Sequence, residues 1–217
     1  MARDLTELVF VLDRSGSMSG LERDTIGGFN SMLARQRELP GACVVTTVLF
    51  DNRCELLHDR IDLRAVRPMS AREYRVGGST ALLDAMGMAI DKAVAAQRNT
   101  AEEYRAARVV FVIITDGEEN ASREYTLAQV KGLIERQKSK YGWEFIFLGA
   151  NIDAVASAAR FGIDARRAAD YVPDSQGTQL NFSAMSDALT AFRTEGALPD
   201  ACLDGVRSDM KRRGRRR

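Results

Sequence analysis

Two unbroken apolar runs, each closed by an aspartate, constrain the fold of this chain more than any other feature. Leu8-Val9-Phe10-Val11-Leu12 ends at Asp13, and Val109-Val110-Phe111-Val112-Ile113-Ile114 ends at Thr115-Asp116-Gly117. Short continuous runs of this composition are strands buried on both faces. Such strands belong to parallel sheets covered by helices on either side. The first run leads into Asp13-Arg14-Ser15-Gly16-Ser17, which places one carboxylate and two hydroxyls at the rim of a sheet. Folding alone does not require that trio. In open parallel sheets ligands lie outside the carboxyl ends of the strands, so Asp13 and Asp116 can serve one site.

A third segment, Gly77-Gly78-Ser79-Thr80, opens a helix whose apolar residues Leu82, Met86, Ile90 and Val94 recur every fourth position. Its glycines permit backbone conformations closed to other residues and let the loop come close to an ion. Three segments thus offer hydroxyl and carboxylate oxygens, the donors preferred by hard cations such as Mg²⁺. None of them contains Cys or His, which argues against structural zinc. Three neutral hydroxyls leave a cation poorly neutralised and attractive to an incoming carboxylate. The alternative for Ser15, Ser17 and Thr80 is plain helix capping.

Taken in order, these motifs resemble a von Willebrand factor type A domain with its metal-ion-dependent adhesion site, over about residues 5 to 195. More narrowly, the chain resembles the compact stand-alone bacterial members, in which a segment like Phe147-Leu148-Gly149-Ala150-Asn151-Ile152-Asp153 follows the metal strands. The resemblance implies that Ser15 and Ser17 ligate the cation directly and that Asp13 does so mostly through water. Thr80 would ligate when a partner is engaged, and Asp116 through water or directly in the alternative arrangement. The partner's Asp or Glu carboxylate would complete the shell. Mg²⁺ or Mn²⁺ is the expected ion, with Ca²⁺ less suited. Gly78, Ser79, Glu118 and Asn151 are the expected partner-binding rim. The implied fold is a Rossmann-like, doubly wound α/β domain whose mostly parallel central sheet has one antiparallel edge strand and helices on both faces.

The remaining pattern agrees with alternating strands and helices. Ile26, Phe29 and Leu33 predict a buried helical stripe, and Cys43–Phe50 a strand turning at Asp51-Asn52-Arg53 into an edge hairpin that runs through Leu57. His58, the one histidine, is expected to be exposed at a strand end, and residues 61–78 to be irregular. Gly117 to Ser122 reads as a solvated acidic loop. Thr126 and Gln129 form a capping box before the stripe of Leu127, Val130 and Ile134. Trp143 to Leu148 predicts a strand, Asp153 a cap, Ala154 to Phe161 a short helix and Ala168 to Val172 a last strand. A polar loop from Asp174 to Gln179 then precedes a helix bearing Phe182, Met185, Leu189 and Phe192.

Composition bounds what is left. With 217 residues, 45% of them hydrophobic, the chain supports one sizeable domain over residues 1–200, followed by a basic, disordered tail over 201–217. Lys211-Arg212-Arg213-Gly214-Arg215-Arg216-Arg217 holds six of the 31 basic residues and none of the 30 acidic ones, so the body is net acidic. Such an arm could hold nucleic acid or an acidic protein by counterion release, or serve as a passive solubilising end. No apolar stretch reaches the length of a membrane span, and the chain enters its first strand at once, without a signal-peptide pattern. Cys43, Cys54 and Cys202 follow no metal spacing and suggest a reducing cytoplasm.

The leading expectation is therefore a non-enzymatic, metal-dependent adaptor in a cytoplasmic bacterial assembly. The alternatives are a Mg²⁺-dependent aspartyl-phosphate phosphotransferase or phosphatase with Asp13 as nucleophile, and a tail-driven nucleic-acid binder. The phosphatase pattern would need a second Asp two residues on, where this chain has Ser15. No His or Lys in the motif segments stands ready to activate a nucleophilic serine. Asp13→Ala is expected to abolish metal binding while sparing the fold.

Overall fold

A computed structural model describes residues 4–214. Its six-stranded sheet comprises β1 (Thr6–Asp13), β2 (Cys43–Phe50), β3 (Cys54–Asp62), β4 (Arg108–Thr115), β5 (Glu144–Gly149) and β6 (Ala168–Asp170), in the spatial order β3-β2-β1-β4-β5-β6. All pairs are parallel except β2 with β3, whose antiparallel hairpin forms one edge. The α-helices among the described residues are α1 (Glu22–Arg37), α2 (Leu82–Asn99), α3 (Leu127–Tyr141), α4 (Ala154–Arg160), α5 (Ser175–Glu195) and α6 (Asp204–Arg213).

Every residue of β1 is buried, because alternate side chains feed two cores. Leu8, Phe10 and Leu12 meet Phe29 and Leu33 of α1 and Phe182, Met185, Leu189 and Phe192 of α5. Val9 and Val11 face Met86 and Ile90 of α2, Val130 and Ile134 of α3, and Ala154 and Ala158 of α4. The apolar runs are strands for that reason: only a central strand covered on both sides can bury all of its side chains. Gly28 of α1 lies against the Phe182 ring of α5, where a β-carbon would clash, so α1 and α5 can pack closely.

The termini of the helices follow their sequence signals. Thr126 and Gln129 form the reciprocal capping box of α3, which ends at Gly142 with φ +65°. Asp153 caps α4 and Asp174 caps α5. Asp174–Gln179 is therefore the cap and first turn of α5 rather than a loop.

Three further expectations are corrected. His58 is 5% exposed; its Nδ1 lies 3.0 Å from Thr47 Oγ1 and its ring stacks on Phe29, because the hairpin edge is covered by α1. β3 continues to Asp62, past the expected end at Leu57, and a 3₁₀ turn follows over Leu63–Ala65; from there to Gly78 the chain is irregular, as expected, but anchored. Val66, Met69 and Tyr74 are buried, and Asn30 exchanges two 2.8 Å hydrogen bonds with the Met69 backbone. The basic tail is not disordered over 204–213. It forms α6, which belongs to the same domain because Leu203 and Val206 enter the core. Arg213 ties the helix down by pairing with Asp209 and Asp174. Residues 215–217 of that expectation lie outside the described residues.

Candidate functional site

Asp13 closes β1 with only 1% of its surface exposed, and both carboxylate oxygens are engaged. Oδ1 accepts from the Ser15 backbone N–H at 2.7 Å. Oδ2 accepts from Thr115 Oγ1 at 2.7 Å and from the Asp116 N–H at 3.2 Å. The carboxylate therefore staples the end of β1 to the end of β4 and also shapes the turn that follows. Within that turn, Ser15 Oγ and Ser17 Oγ stand 3.0 Å apart.

The glycine segment is held against this turn by its backbone. Gly16 N–H donates to the Gly78 carbonyl at 3.1 Å, and Gly77 N–H to the Arg14 carbonyl at 2.9 Å. Gly78 has φ +77°, and a β-carbon there would run into Asn52 Oδ1. Thr80 is fixed from the β4 side: its N–H donates to Asn120 Oδ1 at 3.0 Å, and Asn120 N–H donates back to its carbonyl at 3.1 Å. The hydroxyls of Thr80 and Ser17 converge on Gly117, where an added β-carbon would lie 3.4 Å from Thr80 Oγ1 and 3.3 Å from Ser17 Oγ. That small cradle is walled by two hydroxyls and floored by a glycine.

Asp116 stands beside the cradle, 2% exposed. Burial pushes its carboxyl up to about 6; the hydrogen bond from Asn151 opposes the shift and the nearby Asp13 charge adds to it. Asn151 Nδ2 donates to Asp116 Oδ1 from a backbone with φ +55°, which asparagine tolerates better than most residues. Desolvation of this kind makes the carboxylate a stronger attractor for a positive charge.

The structure thus brings Asp13, Ser15, Ser17, Thr80 and Asp116 to one end of the sheet. Of the expected rim, Gly78, Ser79 and Asn151 border this place and are exposed. Glu118 is exposed on the following turn, and among the described residues its side chain makes no hydrogen bond or ion pair. Its neighbour Glu119 carries the structural role instead. Oε1 accepts from Ala121 and Ser122 N–H, while Oε2 accepts from Leu83 N–H and Ser122 Oγ. The acidic loop is accordingly a built connection to the start of α2.

Sequence reasoning missed several residues that position the site. Thr115 binds Asp13, Asn120 pins Thr80, and Tyr74 OH donates to the Asp13 carbonyl. Arg14 pairs with Asp51 at 3.1 Å and Glu55 at 2.6 Å, tying the motif turn to the hairpin. Thr115, adjacent to Asp116, was the one with a readable signal. The partners of the others lie 37 to 61 positions away in the chain.

Chemically, two carboxylates and three hydroxyls form an all-oxygen donor set suited to a hard divalent cation. Among the described residues no group of three or more His, Cys, Asp or Glu could hold a metal by itself, so the hydroxyls are needed to complete any such site. No helix among the described residues is long and apolar enough to cross a membrane.

No protein-family model matches the sequence, and no curated protein matches it. Solved structures do share its fold. The PilB minor pilin from Streptococcus sanguinis superposes with a TM-score of 0.58 at 13% identity, over 89% of this chain and 63% of that one. The von Willebrand factor type A protein from Catenulispora acidiphila gives 0.56 at 15% identity, over 84% and 42%. Proximal thread matrix protein 1 from the mussel byssus gives 0.55 at 12% identity, over 84% and 45%. The chain spans about half the length of these proteins. Likeness at such identities concerns architecture alone, and the architecture is that of a von Willebrand factor type A fold.

Proposed function

We propose that the chain is a protein-interaction module whose contact with its partner runs through a divalent cation, Mg²⁺ or Mn²⁺. Ser15, Ser17 and Thr80 would hold the ion through hydroxyl oxygens, with Asp13 and Asp116 supplying negative charge behind them. The bound ion would act as a Lewis acid that accepts an Asp or Glu carboxylate from the partner. The observation that supports this reading is the convergence of the Ser17 and Thr80 hydroxyls around Gly117, with Ser15 Oγ 3.0 Å from Ser17 Oγ and two buried carboxylates alongside.

Phosphoryl transfer through Asp13 is the weaker reading. A nucleophilic carboxylate needs an oxygen open to substrate, and both oxygens of Asp13 accept hydrogen bonds from Ser15, Thr115 and Asp116. The proposal assigns no catalytic group. A cytoplasmic bacterial setting remains part of it, inherited from the sequence resemblance and the three free cysteines.

Thermal unfolding of the wild type and of the Ser15→Ala/Ser17→Ala double variant, with Mg²⁺, Mn²⁺ or EDTA, tests the site. A ligand at a hundredfold excess over Kd stabilises the folded state by about 2.7 kcal/mol, which raises Tm by about 5–10 °C in a chain of this size. That rise is expected in the wild type and not in the double variant. Equal Tm values with metal and with EDTA in the wild type would remove the reading.

A further inference from the structure

The chain returns from β3 to the site as an anchored strap with arginines on its outer face. β3 runs antiparallel to β2 and ends at Asp62, at the end of the sheet where β1 begins. Residues 63–76 then climb back along α1. Arg37, the last residue of α1, donates to the carbonyls of Leu63, at 2.9 Å, and Val66. Asn30, about two turns earlier on α1, holds the backbone of Met69. Tyr74 OH donates to the Asp13 carbonyl, and Gly77 N–H closes the path on the Arg14 carbonyl at 2.9 Å. Val66, Met69 and Tyr74 are buried, whereas Arg67, Arg72 and Arg75 between and beside them are exposed. Residues 63–76 hold four arginines and one acidic residue. Arg64 pairs with Asp62, and the acid, Glu73, is occupied by the Ser70 N–H at 2.9 Å and hydroxyl at 2.6 Å. Arg67, Arg72 and Arg75 pair with no carboxylate among the described residues.

We infer that the partner is an extended acidic protein segment that places one carboxylate at the cation and lays its neighbours along this strap, with further carboxylates on Arg75, Arg72 and Arg67. This rests on the cation-mediated reading above. Arg75 stands two residues before Gly77, whose N–H is bound within the motif turn, so the row of charges starts beside the site. From Arg75 to Arg67 the strap covers at most about 26 Å at about 3.3 Å per residue. A partner segment of about eight extended residues therefore reaches its whole length. Guanidinium groups suit this task because their planar fork matches a carboxylate. The strap's backbone is already fixed by its buried residues, so only the arginine side chains are ordered on binding.

A nucleic acid fits these observations less well. The turn that follows Asp116 on the β4 side of the site carries the exposed Glu118 and the half-buried Glu119, which repel a continuous phosphate chain crossing the site. A peptide whose carboxylate ends at the cation can run to the arginine side alone. The exposed aromatics that could stack on bases, Tyr104 and Tyr141, precede β4 and β5 and so lie at the opposite end of the sheet.

The test measures fluorescence anisotropy of labelled dodecaglutamate, and of a Gly/Ser dodecapeptide with a single central Glu, at about 50 and about 200 mM salt with Mg²⁺ or EDTA. The proteins are the wild type, the triple variant Arg67→Ser/Arg72→Ser/Arg75→Ser, and a charge-matched control, Arg98→Ser/Arg136→Ser/Lys140→Ser. The control changes exposed residues of α2 and α3, on the face of the sheet opposite α1. Mg²⁺ affinity is measured separately by calorimetry. In Mg²⁺ the triple variant should bind dodecaglutamate about tenfold more weakly than the wild type, with a shallower salt dependence and unchanged Mg²⁺ affinity. The control should lose less than about twofold. The single-Glu peptide should bind all three proteins alike, and a loss there in the triple variant would overturn the inference, since the strap would then serve the first carboxylate rather than further ones. Equal dodecaglutamate binding by wild type and triple variant, or an equal loss in the control, would overturn it while leaving the metal reading intact. Wild-type binding that survives EDTA undiminished would overturn it as well, since the arginines would then act without the ion. Absence of Mg²⁺ uptake in calorimetry would remove the underlying reading itself. Tighter, Mg²⁺-independent binding of a twelve-nucleotide single-stranded DNA would overturn the inference in favour of nucleic acid.

Discussion

At the level of single residues, Asp13 and Ser17 belong to one motif but do different work. Asp13 joins two strands through three accepted hydrogen bonds and is buried, whereas Ser17 is exposed and touches only Ser15 among side chains. Asp13→Ala leaves the Ser15 and Asp116 N–H groups without their acceptor and the Thr115 hydroxyl with only the Gly117 carbonyl, and should cost about 3 kcal/mol of stability. Ser17→Ala should cost less than about 0.5 kcal/mol while weakening Mg²⁺ binding. Urea melts of both variants with EDTA present check the contrast, and comparable losses would mean that the staple is not what Asp13 provides. Asp13→Ala is thus expected to lower stability as well as to abolish metal binding, through hydrogen bonds that the motif alone does not display. His58 offers a second test, since burial holds its imidazole below the ordinary histidine value of 6.5, with Arg37 adding to the shift and Glu73 opposing it. The unfolded chain then takes up the proton first. This contribution to stability is complete above pH 6.5 and is lost as pH falls from there toward the folded-state value. The single histidine resonance should titrate below 6.5 in the native protein, and a native midpoint at or above 6.5 would contradict the buried placement.

Among the elements, those with strong periodicity were readable in advance: the all-apolar β1 and β4, the capping box of α3, and the apolar stripes of α2 and α5. The five oxygen-bearing residues were readable too, because each sits next to such an element. What could not be read was anything settled by partners distant in sequence, such as Asn120 on Thr80 or Tyr74 on Asp13. α6 was hidden for a different reason. Its charge run masks a short apolar stripe, Leu203, Val206 and the half-buried Met210, whose spacing of three and four is helical. Burying Val206 contributes about 1.5–2 kcal/mol, and the Arg213 pairs with Asp209 and Asp174 fasten the last turn. α6 also covers β6, a three-residue strand at the edge of the sheet. Ending the chain after residue 200 should therefore expose both an apolar face and a strand edge, a combination that promotes association. Light scattering after size exclusion should show oligomers at tens of micromolar where the full chain shows fewer. A truncated chain with an unchanged mass distribution would mean that α6 shields nothing.

For the molecule as a whole, the site exists only because the sheet brings distant parts of the chain together. Asp13 and Asp116 lie 103 positions apart, and Thr80 reaches them from the connection between β3 and β4. Their relative position depends on the β1–β4 register, in which Leu12 pairs with Ile114, and on the Arg14 clamp to the hairpin. No part of the cluster can form in an isolated element, so the proposed cation binding would be coupled to global folding rather than to the ordering of one loop. The backbone bonds among Gly16, Gly77, Gly78, Thr80 and Asn120 already fix the loops without any ion. Mg²⁺ should accordingly raise the urea midpoint without changing the slope m, because the surface exposed on unfolding stays the same. Native-state amide exchange should slow together in β1, β4 and β5, the strands that open only on global unfolding. A rise in m with metal, or protection gained only by residues 77–80 and 117–122, would show instead that the ion orders loops that are loose without it. The loops would then be a binding-induced element, and partner recognition would carry an ordering cost that a preformed rim avoids.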